Sequence, residues 1–217
     1  MIPAFIDLLI VLAEELKEGA KTYLVLTKQD RVTVRHALLN SHSIIIELFT
    51  QVLNSDSKSQ EILFLKNQVC KAFTAWLNLG LLLNDFKNLL NICINLALTN
   101  YKEGDFEGYD DLCECIQIAF TSPDSFQYRN TIMELLPKIL SFQSILEESI
   151  KSKDANLCNA VTGMICYIGE NHTTLLLENY QNTCNGQVVN GLGKTYMQKL
   201  RKKFYLVLIC LPFQVGK

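Results

Sequence analysis

The segment ICYIGENHTTLLLEN, residues 165–179, places a cysteine, a glutamate and a histidine within seven positions. Cys166 and His172 have the chemistry of a thiol nucleophile and its base, but no Asn or Asp that would orient the histidine is identifiable. An apolar helix from about 154 is predicted to end near Gly169, because glycine tolerates the left-handed conformation that follows a helix. We therefore expect a buried thiol, with Glu170 and His172 in an exposed turn, rather than an active site.

A second motif, GLGKT at residues 191–195, resembles the end of a phosphate-binding loop. Such a loop requires a glycine five positions before Gly193, where this chain has Val188, and a preceding apolar strand, which is missing from the sequence pattern. Nucleotide binding is not expected here.

The chain has eight cysteines, dispersed along apolar segments. Cys113 and Cys115 are separated by a single residue, which is the wrong spacing for a zinc knuckle, and no second pair follows. Buried, reduced thiols are predicted, with no metal, no cofactor and no enzymatic activity. The cysteines are Cys70, Cys93, Cys113, Cys115, Cys158, Cys166, Cys184 and Cys210.

Composition favours an ordinary folded chain: 49% of its 217 residues are hydrophobic, and 20 basic and 22 acidic residues leave a net charge of −2. This balance gives no field that would attract nucleic acid or an anionic membrane. The apolar beginning leads into Glu14 and Glu15 and is predicted to be an amphipathic helix rather than a signal peptide. The apolar run at 204–213 is about half of a bilayer span. A soluble, intracellular chain is expected.

Apolar residues recur at spacings of three and four almost everywhere, which predicts helices. The stripe of the segment 60–78 contains Phe73 and Trp76, and we expect both in the core. Caps are predicted at Ser57, through the pattern Ser57-x-x-Gln60, and at Asn84.

A longer helix is predicted at 124–150, bent or weakened at Pro137. Its inward residues are Ile132, Leu135, Ile139, Phe142, Leu146 and Ile150. Its opposite, polar stripe includes Glu134, Lys138, Ser141 and Glu148.

The first helices of successive pairs are predicted to begin near 3, 60, 106 and 154, with partners at about 30–53, 85–98 and 124–150. The last two intervals are about 46 and 48 residues, close to the roughly 40–47 of HEAT repeats. The predicted fold is an all-α solenoid of three to four HEAT-like pairs. It occupies residues 1–182, and residues 183–217 form a divergent linker or tail, disordered or inserted.

Three stretches resemble the importin-13 and transportin-3 branch of the importin-β, or karyopherin, superfamily, in register over about 30–180. They are KAFTAWLNLG, SPDSFQYRNTIMELLPKIL and YIGENHTTLLLEN. The resemblance implies a receptor that carries protein cargo between cytoplasm and nucleus, with nuclear pore proteins and the GTPase Ran as partners. Ran would bind mainly through repeats absent here, because members are several times longer. The chain is thus a fragment, a truncated isoform or an incomplete gene product.

The same resemblance implies that the second helix of each pair lines a concave, partner-binding surface. We expect Glu134, Lys138, Ser141 and Glu148 to lie on this surface, where the two glutamates would contact a basic cargo. The alternative is that these residues form a solvated stripe with no partner-binding role. The acidic run 103–111 is either a solvated loop and helix start or a second docking patch. For the whole chain, the alternatives are a HEAT scaffold of a non-transport complex or a truncated, non-functional isoform.

Overall fold

The structure is a computed structural model that describes residues 2–17, 26–57, 59–104, 108–122 and 125–175. Within these ranges it contains α-helices, one short 3-10 helix and no strand, so the predicted all-α class is confirmed. The segment 183–217, including GLGKT, lies outside them. The helices are α1 (Ile2–Leu16), α2 (Lys28–Asn40), α3 (His42–Leu53), α4 (Gln60–Leu77), α5 (Leu83–Glu103), α6 (Tyr109–Thr121), the 3-10 helix (Ser125–Tyr128), α7 (Arg129–Ser141), α8 (Gln143–Ser152) and α9 (Ala155–Asn171).

The chain divides into two compact units, residues 1–131 and 132–217, and the division falls inside α7. The predicted boundary near 182 stays a prediction, because it lies beyond the described residues.

The first unit is built from two layers of helices. In one layer α4 packs against α1 on one side and against α6 on the other, and in the second layer α3 packs against α5. Contacts of α3 with α4 and of α5 with α6 join the layers. Stacking of like helices from successive pairs is the packing that buries the apolar faces of repeat units, as the helical periodicity predicted.

Three aromatic rings connect the layers at the centre of this unit. The Phe73 ring of α4 meets Phe49 of α3 edge-on, with ring centroids 6.4 Å apart, and Phe86 of α5, at 5.4 Å. Nearby, the fully buried Trp76 donates its indole N–H to the backbone oxygen of Leu9 in α1, at 3.2 Å. The expectation that Trp76 belongs to the core is confirmed.

Two of the predicted helix caps are wrong. The N-cap of α4 is Ser59, whose hydroxyl accepts from the backbone N–H of Ile62, while the Ser57 hydroxyl donates to the Ser59 hydroxyl. Asn84 lies inside α5, which begins at Leu83, and its carboxamide oxygen accepts a 2.8 Å bond from the Thr131 hydroxyl. In both cases the apolar stripe identified the helix, but the N-cap lies two residues away from the one that the sequence suggested.

The predicted helix at 30–53 is divided at Ser41 into α2 and α3. The sequence reading missed the capping box that begins α2, in which the Asp30 backbone N–H bonds to the Thr27 hydroxyl and the Thr27 N–H bonds to the Asp30 carboxylate. None of the residues of α2 is buried.

In the second unit, the helix predicted at 124–150 is interrupted at Phe142, which separates α7 from α8. Pro137 lies within α7, which ends four residues later at Ser141. The buried residues of α8 are Ile145, Leu146 and Ser149, whereas Ile150, predicted to point inward, lies beside this face and is 46% exposed. The other predicted core positions of this helix are buried. Helix α8 packs against α9.

Two glycines with left-handed backbone flank the loop between α5 and α6. Gly104 (φ 74°) ends α5, and a Cβ there would contact nothing within 4 Å. Gly108 (φ 72°) precedes α6, and a Cβ there would lie 2.0 Å from the Oδ1 atom of Asn67 in α4. Both positions favour glycine because their φ is positive. Only at Gly108 does the close approach of α4 also leave no space for a Cβ atom.

We therefore predict that Gly104→Ala lowers the free energy of unfolding by about 1–2 kcal/mol, the cost of left-handed backbone, and Gly108→Ala by about 2–4 kcal/mol. Urea titration of both variants measures the difference. Adding Asn67→Ala to Gly108→Ala should restore only the part of the lost unfolding free energy that comes from the clash between the new Cβ atom and Asn67. Equal destabilisation by the two alanines would show that contact with α4 does not select glycine at 108.

Candidate functional site

The cysteine, glutamate and histidine of the 165–179 segment lie around the end of α9. This helix runs to Asn171, two residues past the predicted end at Gly169, and His172 is its C-cap. Cys166 and His172 are six residues apart, which places them about 9 Å apart along the axis and on different faces of a helix. They do not form a nucleophile–base pair across one face.

The environment of these two residues differs from the sequence expectation. His172 occupies a turn, but it is only 3% exposed, so the prediction of an exposed turn histidine is wrong; Leu175, three residues further on, is also buried. Cys166 is half-buried, and burial, followed by the negative charge of Glu170, raises the pKa of its thiol. A nucleophilic cysteine requires a lowered pKa. The surroundings of Cys166 instead disfavour the thiolate that such a nucleophile needs.

Four further thiols lie inside the first unit, on α4, α5 and α6. Burial raises the pKa of Cys70, and a hydrogen bond with the Cys115 thiol, followed by burial, raises the pKa of Cys93. Burial also raises the pKa of Cys113 to about 12. Cys70, Cys93 and Cys113 are therefore protonated at neutral pH, and all four buried thiols fill core space like small apolar side chains.

Among the described residues, His, Cys, Asp and Glu side chains do not gather into any group of three or more that could hold a metal ion. None of the described helices is both long and apolar enough to cross a membrane.

The predicted partner-binding residues lie in the second unit, on two helices rather than on one. Glu134, Lys138 and Ser141 belong to α7, and Glu148 belongs to α8. Glu134, Ser141 and Glu148 are exposed and Lys138 is half-buried. The two glutamates and the lysine each interact with a neighbouring group. The exposed Glu147 of α8, which accepts from the Gln143 amide at 2.6 Å, adds a further negative charge. We call these five charged and polar side chains the α7–α8 surface.

The sequence reading missed a groove in the first unit. It has a volume of about 500 Å³ and lies between α5, the start of α4 and the segment 53–57 that follows α3. Asn95 and Thr99 of α5 line it and are exposed. The signal in the sequence is a run of uncharged polar residues at helical spacing in α5, which the search for charged and nucleophilic groups passed over. This run is Asn84, Asn88, Asn91, Asn95 and Thr99.

The layered helix pairs of the first unit are packed as in a helical-repeat protein. No protein-family model matches the chain. The chain is similar to Importin-13 of Gallus gallus, with 28% identity over 179 residues, and to Importin-13 of Bos taurus and of Homo sapiens, each with 27% identity over 179 residues. Each match covers 82% of this chain but only 17% of the relative's length. The resemblance predicted from the sequence is confirmed, for a partial chain.

The burial of the thiols leads to a prediction about their alkylation. At pH 8, iodoacetamide should modify Cys166 more slowly than a free thiol, because its raised pKa leaves less thiolate, and its rate should keep rising above pH 9. Cys70, Cys93, Cys113 and Cys115 should stay unmodified until the protein is unfolded in urea. Peptide mapping by mass spectrometry assigns each cysteine. Rapid native-state modification at Cys93 or Cys115 would contradict the burial of these thiols.

Proposed function

We propose that this chain is a segment of a nuclear transport receptor of the importin-13 kind, which binds protein cargo and contributes to Ran-regulated transport between cytoplasm and nucleus. The observation that carries the proposal is the similarity over 179 residues to Importin-13 of several vertebrates. It coincides with the packing of like helices in layers, which is how repeat proteins build long surfaces for partners.

The chemistry of the described residues supports binding rather than catalysis. The thiols with raised pKa are buried or half-buried, and the Cys166 region lacks the paired geometry of a nucleophile and base. The exposed polar faces of the helices, in contrast, are available to a macromolecule. Protein cargo, Ran and nuclear pore proteins are the proposed partners, with Ran contacts mainly outside this chain.

The α7–α8 surface is the proposed docking site for a basic cargo. The charged residues of this surface are three glutamates, Glu134, Glu147 and Glu148, and one lysine, Lys138, so their charges sum to about −2. Complementary charge of this kind speeds association and selects partners more than it adds affinity.

The charge reversal Glu134→Lys/Glu148→Lys, made in the full-length gene product, should weaken a basic cargo by about tenfold near physiological salt. The loss should shrink in high salt, because exposed charges are screened there. Fluorescence anisotropy with a labelled cargo measures it. The matched control, Glu114→Lys/Glu170→Lys, reverses two exposed glutamates elsewhere and should leave cargo affinity unchanged. Equal affinity of wild type and the first variant would exclude the α7–α8 surface.

Ran binding separates a transport receptor from a scaffold for another complex. The full-length product should retain Ran loaded with GTP and release it when loaded with GDP, in a pull-down with purified proteins. Failure to discriminate the two nucleotide states, with cargo binding intact, would favour the scaffold.

A further inference from the structure

Helix α2 is packed against the first unit less closely than the helices that follow it. None of its residues is buried, whereas α3 buries three residues and α4 buries eight. The least exposed side chains of α2 are only half-buried, and they are Arg31, Arg35, Leu38 and Leu39. The face of α2 that packs on the protein therefore contains two arginines and only two leucines, so it buries little apolar surface.

The sequence of α2 does not compensate for this weak packing. Val32, Thr33 and Val34 are consecutive β-branched residues, which lose side-chain freedom in a helix. Val32 and Val34 are 44% and 37% exposed, so their burial offsets little of this cost. The capping box of Thr27 and Asp30 stabilises the first turn only. Because an isolated helix of 13 residues is marginal in water, α2 depends on its attachment to the rest of the unit.

One side chain connects α2 to the turn that follows α4. The Arg35 Nε atom donates a 2.9 Å hydrogen bond to the backbone oxygen of Leu79, a fully buried residue. Gly80 follows at φ 102°, and a Cβ there would lie 3.1 Å from the Nη2 atom of Arg35. The guanidinium group therefore lies directly against the backbone of this turn. A hydrogen bond from a charged donor is stronger than one between neutral groups, so this bond is a large part of the attachment.

The junction between α2 and α3 lets α3 stay folded without α2. Ser41 is both the C-cap of α2 and the N-cap of α3, and its side chain makes no capping bond to α3. The Nδ1 atom of His42 lies 2.6 Å from the Leu39 backbone oxygen, a contact within the junction itself. Helix α3 is anchored separately, because its buried residues, which include Phe49, belong to the aromatic centre of the unit.

We propose that α2 is a detachable strap, which opens by local unfolding while α3 and α4 stay folded, and that the Arg35–Leu79 hydrogen bond controls how often it opens. Elements with few buried contacts open at a lower free energy than the whole domain. Helix α2 contacts α1 and α3, so its opening exposes the sides of these two helices that it covers. The proposal is independent of the transport function, since it requires neither Ran nor cargo.

Hydrogen–deuterium exchange of the whole 217-residue chain, read by mass spectrometry, measures the opening. After correction for intrinsic rates, residues 32–39 of α2 should exchange at least about 100-fold faster than residues 69–76 of α4. Arg35→Ala should speed the exchange of 32–39 by a further factor of about ten and leave 69–76 unchanged. Because alanine is the better helix former, faster exchange in this variant reports the lost attachment rather than a poorer helix.

Two further variants separate attachment from charge and from helix propensity. Lys28→Ala removes a positive charge from an exposed position of the same helix and should not speed exchange. Val32→Ala/Val34→Ala replaces two β-branched residues with the best helix former and should slow the exchange of α2 by about fivefold, because opening is local unfolding. Circular dichroism verifies that each variant is folded.

Three results would overturn the proposal. The first is protection of α2 equal to that of α4 in the wild type, which would mean that the unit opens only as a whole. The second is an Arg35→Ala variant that leaves α2 unchanged or speeds α4 equally. The third is a double valine variant in which α2 exchanges as fast as in the wild type, since the opening would then not be an unfolding of the helix.

Discussion

The first unit depends on the burial of α4 between α1 and α6. Phe73 and Val69 are fully buried on this helix, and Trp76 is 1% exposed. Burial of each such side chain contributes about 1.5–3 kcal/mol, and the Trp76 N–H, which would be costly to bury alone, is satisfied by α1. Through Phe73, α4 also fixes Phe49 and Phe86, and so the positions of α3 and α5. Removal of α4 would leave the two layers without a common core.

This arrangement also determines the environment of three thiols. The faces that bring α4, α5 and α6 together are apolar, and Cys70, Cys93 and Cys115 lie on them. Burial penalises the thiolate of Cys70 and so raises its pKa, and the hydrogen bond with the Cys115 thiol, followed by burial, raises the pKa of Cys93. The side chains of the α7–α8 surface are, in contrast, exposed or half-buried, and interactions of exposed charges weaken with salt.

Helical periodicity predicted the helices of this fold well, because apolar residues recur on the face of each helix that is buried against its neighbours. The stripe containing Phe73 and Trp76 led to α4 directly. Helix ends were predicted less well: Ser57 and Asn84 are chemically suitable caps, but the first turn is set by packing, which selected Ser59 and Leu82.

The spacing of apolar residues also failed to predict the burial of single residues near helix ends and interruptions. Ile150 is exposed because the buried face of α8 runs through Ile145, Leu146 and Ser149; spacing from Leu146 alone does not distinguish Ser149, three residues on, from Ile150, four residues on. His172 is buried although it follows a helix end, because neighbouring residues cover the turn. The residues of the α7–α8 surface were identified by their polarity alone, so their exposure was predictable while their division between two helices was not.

The polar face of α5 escaped the sequence reading for a related reason. Apolar spacing identifies the buried face of α5, formed by Phe86, Leu89 and Leu90, and does not describe the opposite face. Three such side chains contribute about 5–9 kcal/mol of burial, whereas four asparagines cost about 2–3 kcal/mol in helix propensity relative to alanine. Packing therefore stabilises α5 whatever its outer face contains, so a helix fixed by its core can carry poor helix formers along its exposed face.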